Sequence, residues 1–173
     1  VRAVRVATGF VLLEVALMLL VVALVMGLSF TLAGRVLQRR NCDQVVADLR
    51  VFAAIHADYY QQRQSWPPST GEGLALPPPL ADALKTTNWA QRSPFGGSYG
   101  WVKPDPAGVR PGHDWGGAGA VTLTAFAPSF PLTLTQADLL YIDRQLDDGN
   151  LATGRFRTGF NGWPVYLVEA VKP

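Results

Sequence analysis

At 173 residues and a net charge of +2, the chain is sized for one domain plus an extra segment rather than two full domains. So weak a charge, with no dense Lys/Arg patch anywhere, argues against nucleic acid as a partner. Cys42 is the single cysteine, so no intrachain disulfide can form and the fold must be held by packing.

The chain opens with "VRAVRVATG", a short basic leader, and then turns apolar. From Phe10 to Gly34 the only charged residue is Glu14. Roughly 25 residues at 1.5 Å each exceed the ~30 Å hydrocarbon core of a bilayer, which predicts a membrane-spanning helix. A cleaved secretory signal does not fit, because the apolar run is too long and no small-x-small site follows it. "LAGR", Leu32–Arg35, has Arg where a lipoprotein signal requires Cys. Arg2 and Arg5 precede the run, whereas Arg35, Arg39 and Arg40 follow it, so loop charge alone leaves the orientation near a tie.

A basic leader, Gly9, the aromatic Phe10 and a Glu at the fifth position of an apolar helix together resemble a type IV prepilin cleavage site. The resemblance implies that a prepilin peptidase cuts between Gly9 and Phe10 and methylates the new amine of Phe10. It also implies a cytoplasmic leader and a periplasmic C-terminal part. An ionised carboxylate deep in a bilayer costs about 2.5–3.5 kcal/mol, so it persists only where something answers the charge. In a filament of such helices the resemblance implies that the partner of Glu14 is the α-amine of a neighbouring subunit's Phe10, which would set the register of packing. A Glu that simply snorkels to the membrane surface is the plainer alternative.

Beyond Gly34 the helix continues in amphipathic form. Cys42, Val45, Leu49, Phe52, His56 and Tyr59 step by three and four along one stripe, with Asp43, Asp48 and Arg50 expected off it. With no proline before Pro67, one helix is expected from Phe10 to about Gln64, roughly 80 Å by rise per residue. Gly27 and Gly34 are its soft points. Cys42 on the stripe reads as a small buried hydrophobe, although pairing between chains is open to a lone thiol. His56 reads as a core histidine; His113 stands alone in a Gly-rich loop, and no zinc spacing exists.

"SWPPSTGEGLALPPPL" ends the helix. "PLADALKTTNW" predicts a short helix after Pro79, and Ser98–Lys103 a short strand. Ala120–Phe126 alternates and is rich in β-branched residues, a better-marked strand. Thr135 with Asp138 three residues on forms an acidic variant of the capping box. In the helix it opens, Leu139, Ile142 and Leu146 make the buried face and Gly149 is expected to close it. "GRFRTGF" and "WPVYLVEA" predict two last strands, joined as a hairpin at "GFNG".

The order predicts an α+β fold: a long N-terminal α-helix packed on a small, mostly antiparallel β-sheet. The resemblance implies the pilin architecture for it, divided into a leader (1–9), a transmembrane half-helix (10–34) and a periplasmic domain (35–173). That domain comprises helix to about residue 64, connector 65–96 and sheet region 97–173. "WPPSTGEGL" and "SPFGGSYGW" are similar to segments of type II secretion pseudopilins, and "YIDRQLDDGNLATGRFR" to an Asp-Asp-Gly segment of minor pilins. No C-terminal cysteine pair is present, which departs from adhesive pilins and favours a pseudopilin or minor pilin.

No nucleophile elbow, P-loop, HExxH or cysteine cluster occurs, so no enzyme is expected. Two readings of "DRQLDDGN" stay open. Some pseudopilins bind calcium through loop acids, which implies a site at Asp143, Asp147, Asp148 and Asn150 with enough oxygens for a hard cation. The EF-hand spacing is missing, however, and Asp and Asn beside Gly are ordinary turn formers. Trp89, Trp101 and Trp115 are expected in the core; joint exposure on one face would instead suggest sugar binding.

The expected function is a structural subunit of a type IV pilus or type II secretion pseudopilus in the bacterial inner membrane. Its partners by resemblance are other pilin or pseudopilin subunits, the prepilin peptidase and the inner-membrane assembly platform, with no cofactor apart from calcium. The competing reading is a single-span, membrane-anchored periplasmic binding module that never polymerises.

Overall fold

The computed structural model describes residues 8–70, 75–105, 115–125, 131–159 and 162–170, without the side chains at 8–11 and 28–32. Residues 1–7 of the expected leader, the Phe10 side chain, His113, Phe126, and residues 160–161 of the expected turn lie outside the described residues. Three helices and four strands are described: α1 (Thr8–Arg63), α2 (Pro78–Lys85), β1 (Ser98–Val102), β2 (Gly119–Thr124), α3 (Gln136–Leu146), β3 (Phe156–Thr158) and β4 (Pro164–Val168). The fold is α+β. The chain divides into two compact units, Val1–Arg40 and Asn41–Pro173.

In the first unit α1 exposes large apolar side chains around its whole circumference, among them Leu12, Leu13, Leu17, Leu19, Val22 and Met26. Glu14 stands exposed among them. Among the described residues no helix is long and apolar enough to cross a membrane; the side chains at 28–32, inside the apolar run of the sequence, fall outside that description.

In the second unit α1 buries its stripe as the period requires: Cys42, Val45, Leu49, Phe52 and His56 are all buried. Asp48 departs from the expectation, since it is buried too. Counting by three and four from Val45 to Phe52 passes through position 48, so the helix turns this carboxylate inward whatever its charge. It survives there because Asn88 Nδ2 and the Tyr99 hydroxyl each donate to it at 2.9 Å. The helix ends where Gln64 takes a left-handed φ of 52° and its amide donates to the Tyr60 carbonyl at 2.7 Å.

The sheet is antiparallel in the order β1-β2-β4-β3. Period-two alternation sorts its residues. Tyr99, Trp101, Val121, Leu123, Phe156, Tyr166 and Val168 join the α1 stripe, Leu80 and Leu84 of α2 and Leu139 and Ile142 of α3 in the main core. Ala118, Ala120, Val165 and Leu167 form a second cluster with Trp115. The connector covers the outer edge of β1: the Thr70 amide donates to the Trp101 carbonyl at 2.9 Å, and the Lys103 amide to Ser69 Oγ at 3.1 Å. Covering an edge in this way removes a template for unwanted strand pairing. Gly119 lies under Trp101 so closely that a β-carbon there would overlap the indole ring.

Each strand is shorter than the sequence predicts by one or a few residues, although β2 begins one residue early, at Gly119. Thr135 does cap α3 with a full capping box to Asp138. The C-cap is Asp147, whose amide donates to the Asp143 carbonyl, so the helix closes two residues before Gly149.

Candidate functional site

Two places carry the residues that the sequence singles out. The first is the start of α1. Thr8, Gly9 and Phe10 are already helical, so the backbone at the expected cleavage position belongs to the same helix as Glu14. One helical turn separates residue 10 from residue 14. Glu14 is the lone acid on an otherwise apolar exposed surface, an arrangement that water alone does not favour and that calls for a non-aqueous or protein neighbour.

The second is the turn from α3 into β3. Leu139, Ile142 and Asp143 share the inward face of α3, so the helical period carries Asp143 into the interior, where it is 0% exposed. Burial first, and the charge of Asp148 second, push its carboxyl above the usual range. The Gly149 amide opposes that rise without reaching hydrogen-bond geometry; neither Asp143 oxygen has a hydrogen-bond partner among the described residues. A buried carboxylate left this way costs more than the 1–3 kcal/mol of an unsatisfied neutral group.

Carboxylate oxygens of Asp143, Asp147 and Asp148 lie within 4.8 Å of one another. Two oxygens on one calcium ion can stand at most about 5 Å apart, so all three fit a single ion of this type. Asp147 Oδ2 accepts from the backbone amides of Arg155 and Phe156, which ties the end of α3 to the start of β3. Asp148 accepts from the Asn150 amide at 2.9 Å and the Thr153 hydroxyl at 2.7 Å, and these bonds hold its carboxyl below the usual range. Asn150 Oδ1 accepts from the Ala152 amide at 3.2 Å. Asp148 and Asn150 therefore act as turn formers, as one of the two sequence readings has it. Asp143 does not: its oxygens satisfy nothing in the turn.

The chain matches no protein-family model, no curated protein and no solved structure.

Gly154 is the residue of this turn that the sequence conceals. Its φ is +73°, and a β-carbon there would overlap the Asp147 carboxylate. "TGRF" reads only as the entry to a strand, and nothing in it announces that the glycine makes room for an acid seven positions earlier.

The remaining candidates are structural. Trp89 and Trp101 are buried and Trp115 is half-buried, so the three do not offer a shared sugar-binding face. Cys42 is buried, donates toward Asp138 Oδ1 at 3.7 Å, and has its thiol pushed up to about 12, chiefly by burial. That makes it an unreactive core residue rather than an interchain link. His56 is fully buried and stacked on Trp101 at 4.2 Å, with its Nδ1 2.7 Å from the Phe52 carbonyl. It is the core histidine that the stripe predicts.

Proposed function

We propose that the chain is a structural subunit of a type IV pilus or type II secretion pseudopilus, cut between Gly9 and Phe10 and assembled through the N-terminal part of α1. The observation that carries this reading is a helix apolar on every side, exposed, and interrupted by one carboxylate, Glu14. A helix of that kind is stable in lipid or among copies of itself. Cleavage creates an α-amine one turn before Glu14, and a neighbouring subunit's amine of that kind neutralises the acid in the assembled filament. The ion pair forms only in the correct register, so its role is specificity of packing more than net stability.

Neutralising Glu14 tests it. Glu14→Ala is expected to stay folded and inserted in the membrane while filament assembly is lost. Unchanged assembly overturns the reading, and a chain that never polymerises in either form is the anchored binding module instead.

The orphaned oxygens of Asp143 support calcium at the turn as a secondary feature of the same subunit. Asp143, Asp147 and Asp148 would hold the ion, which would add to the positive charge that Arg144 and Arg157 already bring to Asp143 and Asp148. Its effect there is to brace the junction of α3 and β3, with no catalytic role.

A further inference from the structure

Arg35, Arg39 and Arg40 stand exposed on α1 immediately beyond the apolar run. Arg35 and Arg39 share a face one turn apart, while Arg40 is turned about 100° from Arg39, so the three lie within about 140° of arc over about 7.5 Å of the helix. No acid occurs between Glu14 and Asp43, so this one-sided patch is positive throughout. Roughly 25 residues separate it from the start of the apolar run, about 37 Å of helix, enough to cross ~30 Å of hydrocarbon and reach the headgroup layer.

We propose that Arg35, Arg39 and Arg40 bind the phosphate groups of anionic lipids on the bilayer face where the apolar helix emerges. The proposal rests on reading 10–34 as a membrane span. The guanidinium fork matches a phosphate with two parallel hydrogen bonds, and its long stem lets the head stay in the headgroup layer while the methylenes lie along apolar surface. The length of the apolar run puts the patch at the depth of the headgroup layer, where lipid phosphates are the nearest anions. The patch fixes how deep the subunit sits, and lifting the helix out of the bilayer requires stripping those lipids.

The full chain is reconstituted into phosphatidylcholine bilayers carrying spin-labelled phosphatidylglycerol or spin-labelled phosphatidylcholine, and the immobilised fraction of each is compared at low salt. Insertion is read separately by resistance to alkaline extraction. The expected result is insertion together with a preference for phosphatidylglycerol, growing by up to about fivefold for each arginine engaged. The triple variant Arg35→Gln, Arg39→Gln, Arg40→Gln is expected to insert and lose the preference, and the triple Arg→Lys variant to keep most of it. Insertion with equal affinity for both lipids, or a preference that the Gln variant retains, overturns the lipid-binding patch and leaves the span intact. Failure to insert at all overturns the span and the patch with it. Loss of the preference on adding inorganic phosphate at constant ionic strength assigns the arginines to a free anion rather than lipid. Loss of cross-linking between subunits in the Gln variant, with lipid preference unchanged, assigns them to a protein partner, and either result overturns the proposal.

Discussion

Tyr99 donates its hydroxyl to Asp48 at 2.9 Å from a position 51 residues further along the chain. Asn88 completes the pair with a second bond to the same carboxylate. Helix α1, the turn after α2 and strand β1 thus meet at one buried acid. Burial and the Asp48 charge push the Tyr99 hydroxyl well above its usual range, so it remains a donor under all ordinary conditions. Tyr99→Phe is expected to lower unfolding free energy by about 1–3 kcal/mol, because it leaves Asp48 buried with one donor fewer. Denaturant unfolding measures it, and a loss below about 0.5 kcal/mol would show that water replaces the hydroxyl without cost.

The His56 imidazole lies between Trp101 and Trp89, with Nδ1 donating to Phe52 and no hydrogen-bond partner for Nε2 among the described residues. Burial lowers its pKa from the ordinary 6.5 to about 4, against the smaller opposing pull of the Phe52 carbonyl. The unfolded chain therefore binds a proton that the folded chain refuses between those values. His56 contributes its full stability above about pH 6.5, and that contribution is lost as pH falls to about 4, with a ceiling on the order of 3 kcal/mol. Unfolding curves taken across this window should steepen in their pH dependence for the wild type. His56→Phe should flatten the response; an equal slope in both proteins would assign the effect to another group.

The α1 stripe, the capping box at Thr135 and the β-rich run around Val121 were all legible in the sequence because each is a local pattern with a fixed period. Asp48 shows where such reading stops. Its charge argues for solvent and sets it off the expected stripe, yet the helix turns it inward, and the two groups that receive it there, Asn88 and Tyr99, come from remote parts of the chain. Gly154 fails to announce itself for a related reason: its φ and its crowding by Asp147 exist only once the turn has closed. At the acid turn the sequence identified the residues and left two roles open. In the structure Asp148 and Asn150 are bonded within the turn, while both Asp143 oxygens are left over.

That leftover acid makes the turn testable. Calcium is expected to raise the melting temperature of the chain, through a stabilisation that grows with the logarithm of free calcium and reaches about 2.7 kcal/mol at a hundredfold excess over its dissociation constant. Asp143→Asn should abolish that response and melt higher than the wild type in the absence of metal, because a buried charge has gone. Thermal scans with calcium and with chelator distinguish the outcomes. No calcium response in the wild type would leave the turn as a purely hydrogen-bonded junction.

Gly154→Ala probes the same junction without replacing a carboxylate. A left-handed backbone costs about 1–2 kcal/mol for a residue with a β-carbon, and the overlap with Asp147 adds to it. The variant should lose at least that much stability, together with slowed-exchange protection at the Arg155 and Phe156 amides. Unchanged protection at those amides would mean that Asp147 holds them by another arrangement.

The central claim concerns the junction of Gly9 and Phe10, and intact mass with N-terminal peptide sequencing of the membrane-extracted protein addresses it directly, in cells with an active prepilin peptidase. A first residue of N-methylated Phe10 is the predicted result. A peptide running unbroken across Gly9 and Phe10 in the mature protein would contradict the account, since no freed amine would then exist to meet Glu14.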